Sequence, residues 1–302
     1  MSKQVQNYRI REKLGEGRAG AVYAADSLTT GDPVAFRRFA VVENPEEETS
    51  WEKDFHDVIS DLKRIEHPNI LKVLDAGVDE DGPYMVTEHL EGLSLSQVMR
   101  QEGHVSLSAA YLMVQQCLSA LSVAEEYGYF HHALSPSSVM AAPHEDGSYT
   151  YTLVDLGHSK LIPLLSSQGV GALSKVMDPA LLAPEIYVGQ PEGVRSTLYM
   201  FGQLVYWVLA GGHPLAGLDL AMAHAKHNAG EIPDLRSYRP DIPDAFRLWL
   251  MRLIEPNPMA RPDSVQSALA SLPAFEVATS APSMPQPIRM DAAAMQPNYE
   301  GE

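Results

Sequence analysis

Four stretches of this sequence hold side chains whose types and spacing can do chemistry. In Gly15-Glu16-Gly17-Arg18-Ala19-Gly20, three glycines let a turn press its backbone against phosphate oxygens. In Val34-Ala35-Phe36-Arg37, strand period puts Ala35 and Arg37 on one face, so a small side chain and a fixed positive charge point the same way. Asp155, in Asp155-Leu156-Gly157, places one carboxylate at the end of a strand pattern. The fourth stretch, Phe130-His131-His132-Ala133-Leu134-Ser135-Pro136-Ser137-Ser138-Val139-Met140, offers histidines and hydroxyls but no carboxylate. Glycines, a cation and an acid suit a nucleotide. A plain glycine hairpin and a solvated arginine are the competing readings.

Two histidine pairs, His131 with His132 and His224 with His227, raise the question of a metal. A metal centre needs three or four convergent ligands, and no matching cysteine or carboxylate spacing accompanies either pair. The sole cysteine, Cys117, falls on the apolar stripe of a helix pattern, where core packing is expected rather than nucleophilic chemistry.

These residues need elements to position them. Tyr8 to Phe39 reads as three strands, with alternation visible in Ala21-Val22-Tyr23-Ala24 and in Val34 to Phe39. The glycine turn joins the first two strands instead of opening a helix, which disfavours a dinucleotide-binding unit. After the acidic stretch Glu43 to Ser50, the residues Trp51, Phe55, Val58, Ile59, Leu62 and Ile65 recur at helical spacing, ending at His67-Pro68-Asn69-Ile70. Leu71 to Ala76 and Tyr84 to Glu88 read as strands about the turn Asp79-Glu80-Asp81-Gly82. Ser94 to Arg100 reads as a short helix. Ser106 to Tyr127 reads as a long one, with Ala110, Met113, Val114, Cys117, Leu118, Leu121 and Ala124 inward. Tyr149 to Val154 is a strand leading into Asp155. Gly157 to Ala183 reads as a loop segment in which Ser166, Ser167 and Ser174 are polar loop residues or acceptors of phosphate. Ser196 to Ala210 is apolar nearly all round, and Ile242 to Ile254 turns Phe246, Trp249, Leu250 and Leu253 inward.

In this order the stretches resemble the motif set of protein kinases, closest to the bacterial-type serine/threonine kinases. The set comprises the glycine loop, the V-A-x-R strand, H-P-N-I, the hinge-like Thr87-Glu88-His89-Leu90-Glu91-Gly92, the H-x-x-L-x-P loop at His131 and D-L-G at Asp155. It closes with Ala183-Pro184-Glu185 and with Glu255-Pro256-Asn257-Pro258-Met259-Ala260-Arg261-Pro262. The resemblance implies an α+β, bilobal protein kinase-like fold, with a small antiparallel-sheet lobe carrying one helix and a larger helical lobe. The small lobe is residues 8 to 90 with the hinge at its end, and the large lobe 91 to 272. Residues 1 to 7 are then an N-terminal extension. Residues 273 to 302, rich in proline, alanine and methionine without periodicity, are a disordered tail. The resemblance further implies a nucleotide cleft framed by Gly15, Gly17, Gly20, Val22, Ala35, Arg37, Glu88, Leu90, Met140 and Asp155. It gives His131 a packing role and makes Glu185 and Arg261 a structural ion pair.

The chemical letters have changed. Ala133 stands where the family has its catalytic aspartate, Ser135 its lysine and Ser138 its metal-binding asparagine. Val58 stands in place of the helix glutamate that pairs with the strand lysine, and that lysine is Arg37. Asp57 is adjacent, but one residue rotates it by about 100° around a helix. Asp178 replaces a threonine, and Thr197 replaces the aspartate that tethers the catalytic loop. This pattern implies a pseudokinase: a binding, scaffolding or regulatory module whose partner is a protein, such as an active kinase or another signalling protein. ATP is expected to bind weakly and with little need for magnesium, or not at all. Asp155 is the metal ligand that remains, and Arg37 either swings to solvent or reaches Asp155. The other class is a nucleotide-dependent transferase of altered chemistry, with His132 or Asp155 as base, although no new carboxylate cluster replaces the lost one.

Composition narrows the setting. A net charge of −17 disfavours nucleic acid and anionic membranes. A single cysteine fits a reducing compartment. Met1 to Glu12 lacks the apolar core of a signal peptide. The most apolar run, Leu198 to Gly212, is short for a bilayer span, so no membrane insertion and a cytoplasmic setting are expected.

Overall fold

Hydrophobic alternation in the first ninety residues becomes a six-stranded antiparallel sheet. The computed structural model describes residues 4–17, 19–40, 50–132, 134–145, 148–164, 177–190 and 193–274. Arg18, most of the acidic stretch after Glu43, Ala133, Ser166, Ser167, Ser174 and the tail from residue 275 lie outside them. The sheet runs β1 (Gln4–Val5), β2 (Tyr8–Gly17), β3 (Gly20–Ser27), β4 (Pro33–Phe39), β6 (Gly82–Glu88) and β5 (Val73–Asp79), in that spatial order. β5 begins two and ends three residues later than the sequence suggests, whereas β6 begins two residues earlier and ends at the expected Glu88. Residues 4 and 5, placed in an extension by sequence, pair with β2 instead. Val5 is buried there with Tyr8, Phe36, Tyr84 and Val86, which together close the outer face of the sheet.

The alternate faces of β4 do different work. Val34 and Phe36 are buried on one face, and Phe36 stacks on Tyr84 with centroids 4.9 Å apart. Ala35 and Arg37 face the other way, opposite Thr87 and Met85 of β6. The helix α1 (Ser50–Arg64) lays Phe55, Ile59 and Leu62 into the core under that face. At the glycine turn, Gly20 has φ +122°, and a Cβ there would lie 2.0 Å from the carbonyl oxygen of Arg38. Gly15 and Gly17 face open space. Gly20→Ala is therefore expected to destabilise by about 1–3 kcal/mol, whereas Gly15→Ala leaves the urea midpoint nearly unchanged.

The remainder is helical around one small sheet. β7 (Leu93–Ser94) and α2 (Leu95–Glu102) follow the hinge, and the Ser94 side chain caps α2. α3 (Leu107–Glu126) buries all seven residues expected to point inward, together with Ala120. Burial pushes the Cys117 thiol pKa well up, as suits an inert core cysteine. α3, not the run from Leu198, is the helix long and apolar enough to cross a membrane among the described residues. Its apolar face is spent on this core. β8 (Val139–Pro143) and β9 (Tyr149–Leu153) complete the sheet β7-β8-β9. β8 escapes sequence reading because Val-Met-Ala-Ala-Pro is poor in strand formers.

Then come α4 (His158–Leu164), α5 (Pro184–Tyr187), α6 (Val194–Ala210), α7 (Leu220–Asn228), α8 (Asp244–Leu253) and α9 (Val265–Ala270). α6 is buried along nearly its whole length, as its uniform hydrophobicity demands. α4 is a difference from the loop expected after Gly157. Pro163 lies inside it and opposes helix on local grounds. Fully buried Leu161 overrides that preference through packing. The two parts join at His67-Pro68-Asn69-Ile70: Asn69 Nδ2 donates to the Tyr151 carbonyl at 2.8 Å, and His67 Nε2 lies 3.1 Å from Ser119 Oγ.

Candidate active site

The β4 register brings Arg37 to the mouth of the cleft between the two parts. Its guanidinium Nη2 donates to Asp155 Oδ1 at 2.6 Å. Of the two destinations open to Arg37 from sequence, the structure has the carboxylate. Both side chains are largely shielded, at 17% and 23% exposure. Asp155 has φ +65°, a left-handed conformation that an aspartate keeps when its surroundings hold it there. Burial works to raise its pKa, but the charges of Arg37, His158 and His131 outweigh that and hold it below the usual carboxylate range. His158 Nε2 lies 3.6 Å from the same oxygen. Burial pulls the His158 pKa down to about 4. The adjoining Leu156 turns inward, lining a crevice with Leu62, Ile70, Val73, Met85 and Thr87.

α1 offers Arg37 no acid. Val58 packs half-buried against the core, and its carbonyl accepts a hydrogen bond from Tyr129 at 3.3 Å. The loop after α3 is closed on itself. Ser138 is 1% exposed. Its hydroxyl donates to the Ser135 carbonyl at 2.9 Å and accepts from the Ser135 amide at 2.8 Å. Ser135 Oγ in turn accepts from the Ser137 amide, and the Pro136 carbonyl accepts from the Ser96 amide of α2. A serine held this way has its proton committed and is a poor metal ligand.

His131 is buried, with Nε2 2.7 Å from the Val154 carbonyl, and burial lowers its pKa to about 4. His132 reaches Thr197 of α6, Nε2 to Oγ1 at 3.2 Å, so the loop is still moored to that helix. Val22 of β3 lies across from both Gly15 and Arg37. Glu88 closes the hinge end, its Oε1 accepting from the Lys72 amide at 2.9 Å, with Leu90 half-buried beside it. Met140 sits on β8 opposite Ser94 and Thr152.

Away from the cleft, Arg261 grips Glu185 through both carboxylate oxygens, at 2.6 and 3.0 Å. The histidines at 224 and 227 are partnered by aromatics and backbone. His227 lies 2.7 Å from the Tyr199 hydroxyl and 3.0 Å from the Pro179 carbonyl. His224 stacks on Tyr187. Among the described residues no three histidine, cysteine or acidic side chains converge as a metal site would require. Sequence reading missed His158, Tyr129 and Lys160. Tyr129 and Lys160 act across distances in sequence that no local pattern encodes, and His158, three residues from Asp155, lies in a helix the sequence reading took for a loop.

The architecture and motif order define a protein kinase fold. The family model for the protein kinase domain matches residues 8–271, and the chain belongs to that family. It is 30% identical over 279 residues to the serine/threonine-protein kinase pkn3 of Myxococcus xanthus, covering 89% of this chain and 50% of that protein. Against a probable serine/threonine-protein kinase PknB of Lactococcus lactis it is 27% identical over 240 residues, covering 79% and 37%. The chain thus spans half or less of the length of these curated relatives. In fold it is similar to the Mycobacterium tuberculosis PknI kinase domain, with TM-score 0.68 at 19% identity over 90% of this chain and 97% of that one. The fold is the bilobal one of that family, an antiparallel-sheet lobe above a helical lobe.

Proposed function

We propose that this chain is a pseudokinase, acting as a binding or regulatory module and not as a phosphotransferase. Its small lobe ends at the hinge near residue 90 and its large lobe near 272. The observation that carries the reading is the 2.6 Å contact between Arg37 and Asp155. A phosphate that takes Arg37 Nη2 must displace a carboxylate, and a metal that takes Asp155 Oδ1 must displace a guanidinium. Each displacement breaks a charge-assisted hydrogen bond. Ser138 adds no carboxylate to help hold magnesium, which normally takes one or two with phosphate oxygens and water. ATP then binds weakly and without dependence on a divalent cation, or not at all. The protein works through its surfaces on a protein partner, an active kinase or another signalling protein, in the cytoplasm.

A thermal-shift titration tests this. Binding to the native state stabilises by mass action, and a dissociation constant at or above ~1 mM gives no more than ~0.4 kcal/mol at 1 mM ATP. The expected result is a small shift, equal with EDTA and with Mg²⁺ or Mn²⁺. A large shift that requires magnesium overturns the reading.

A further inference from the structure

Tyr129 lies where three segments meet. It is 2% exposed. Its hydroxyl is shared between two acceptors on α1, the Val58 carbonyl at 3.3 Å and Asp61 Oδ2 at 3.2 Å. Burial, and then the Asp61 charge, raise its pKa well above the usual phenol value, so the hydroxyl stays a donor. Over its ring stands the Lys160 ammonium of α4, 3.6 Å from the centroid. The two helices also touch directly. Gly157, at φ +84°, leads into α4 so close to α1 that a Cβ would meet Leu62 at 2.8 Å. α4 starts three residues after Asp155, so whatever fixes α4 also fixes the turn that aims Asp155.

Because Val58 carries no charge, α1 has no ion pair to β4 at that position. We infer that the Lys160–Tyr129–Asp61 stack takes the place of that ion pair, fixing α1 against α4 and thereby holding Asp155 where Arg37 grips it. Tyr129 is then a positioning residue, touching neither Arg37 nor the cleft. The last step rests on the reading that this grip closes the phosphate site. The anchoring itself does not.

Hydrogen exchange on the full chain without nucleotide tests the anchor. Tyr129→Phe keeps the ring under Lys160 and loses the hydroxyl. Lys160→Met keeps the stem and loses the charge. Each is expected to speed exchange at amides 53–64 and 159–162 by roughly tenfold, with α6 unchanged. Lys160→Arg restores wild-type protection. The double variant exchanges less than the product of the single effects, since the contacts act as one unit. Unchanged exchange in α1, or an equal rise in α6, overturns the inference. Lys160 is exposed, so its variants report even if Tyr129→Phe folds poorly. Metal-free ATP separates the two ideas: a thermal shift that grows in both loosened variants supports the link to closure. Faster exchange with no growth in that shift leaves the anchor standing and removes the link.

Discussion

Arg261→Ala is expected to lower stability by about 3–5 kcal/mol, because it strips one partner from a buried ion pair. Arg261 is 2% exposed and Glu185 is 9% exposed. The guanidinium has five N–H groups, and all are used. Nη1 donates to Glu185 Oε1 and to the Arg195 carbonyl at 2.6 and 3.0 Å. Nη2 donates to Glu185 Oε2 and to the Pro256 carbonyl at 3.0 and 2.9 Å. Nε donates to the Glu255 carbonyl at 2.7 Å. The plane lies 4.4 Å over the Tyr199 ring. One side chain thus ties α5, the start of α6 and the segment after α8. Removing it leaves a buried carboxylate and three carbonyls without their donor. Arg261→Lys is expected to fall in between, since three rotatable donors cannot reproduce the planar fork. The exposed pair Lys226–Glu231 is the control, and Lys226→Ala should change stability by less than ~1 kcal/mol. A urea midpoint for Arg261→Ala equal to wild type would contradict the assignment.

The features legible in the sequence are those written in local pattern. The buried stripe of α3, the inward residues of α8 and the three strands from Tyr8 to Phe39 follow from periodicity and burial. The ion pair between Glu185 and Arg261 was legible because motifs at both ends carry it. The features that were not legible depend on distant packing. β1 is two residues long, too short for any period to show. α4 carries an interior proline, and its helicity comes from Leu161 and its neighbours. Arg37 and Asp155 are 118 residues apart; sequence supplies the two charges and the missing acid at Val58, but not which way the guanidinium turns. The commitment of the Ser138 hydroxyl to Ser135 was hidden for a different reason. A serine in asparagine's place reads as a weaker ligand, whereas its geometry makes it a loop staple.

The purified chain is expected to transfer no phosphate from ATP to protein, and Ala133→Asp alone is expected to leave it inactive. A positioned general base is worth roughly 10²–10⁴ in rate, and Ala133 supplies none. Restoring the carboxylate returns one part of a constellation whose members act together, so its effect does not appear while the others are wrong. Ser138 still spends its hydroxyl within the loop, Ser135 brings no charge to the transferred phosphoryl, and Val58 leaves Arg37 to Asp155. The informative comparison is Ala133→Asp against a fourfold variant that adds Val58→Glu, Ser135→Lys and Ser138→Asn. Radiolabelled ATP is offered with several protein acceptors, and Asp155→Ala is the blank. The single variant should match the blank, and any gain should first appear in the fourfold variant. Robust transfer by the wild-type chain that vanishes in Asp155→Ala would mean that His132 or Asp155 itself runs a different chemistry in this cleft.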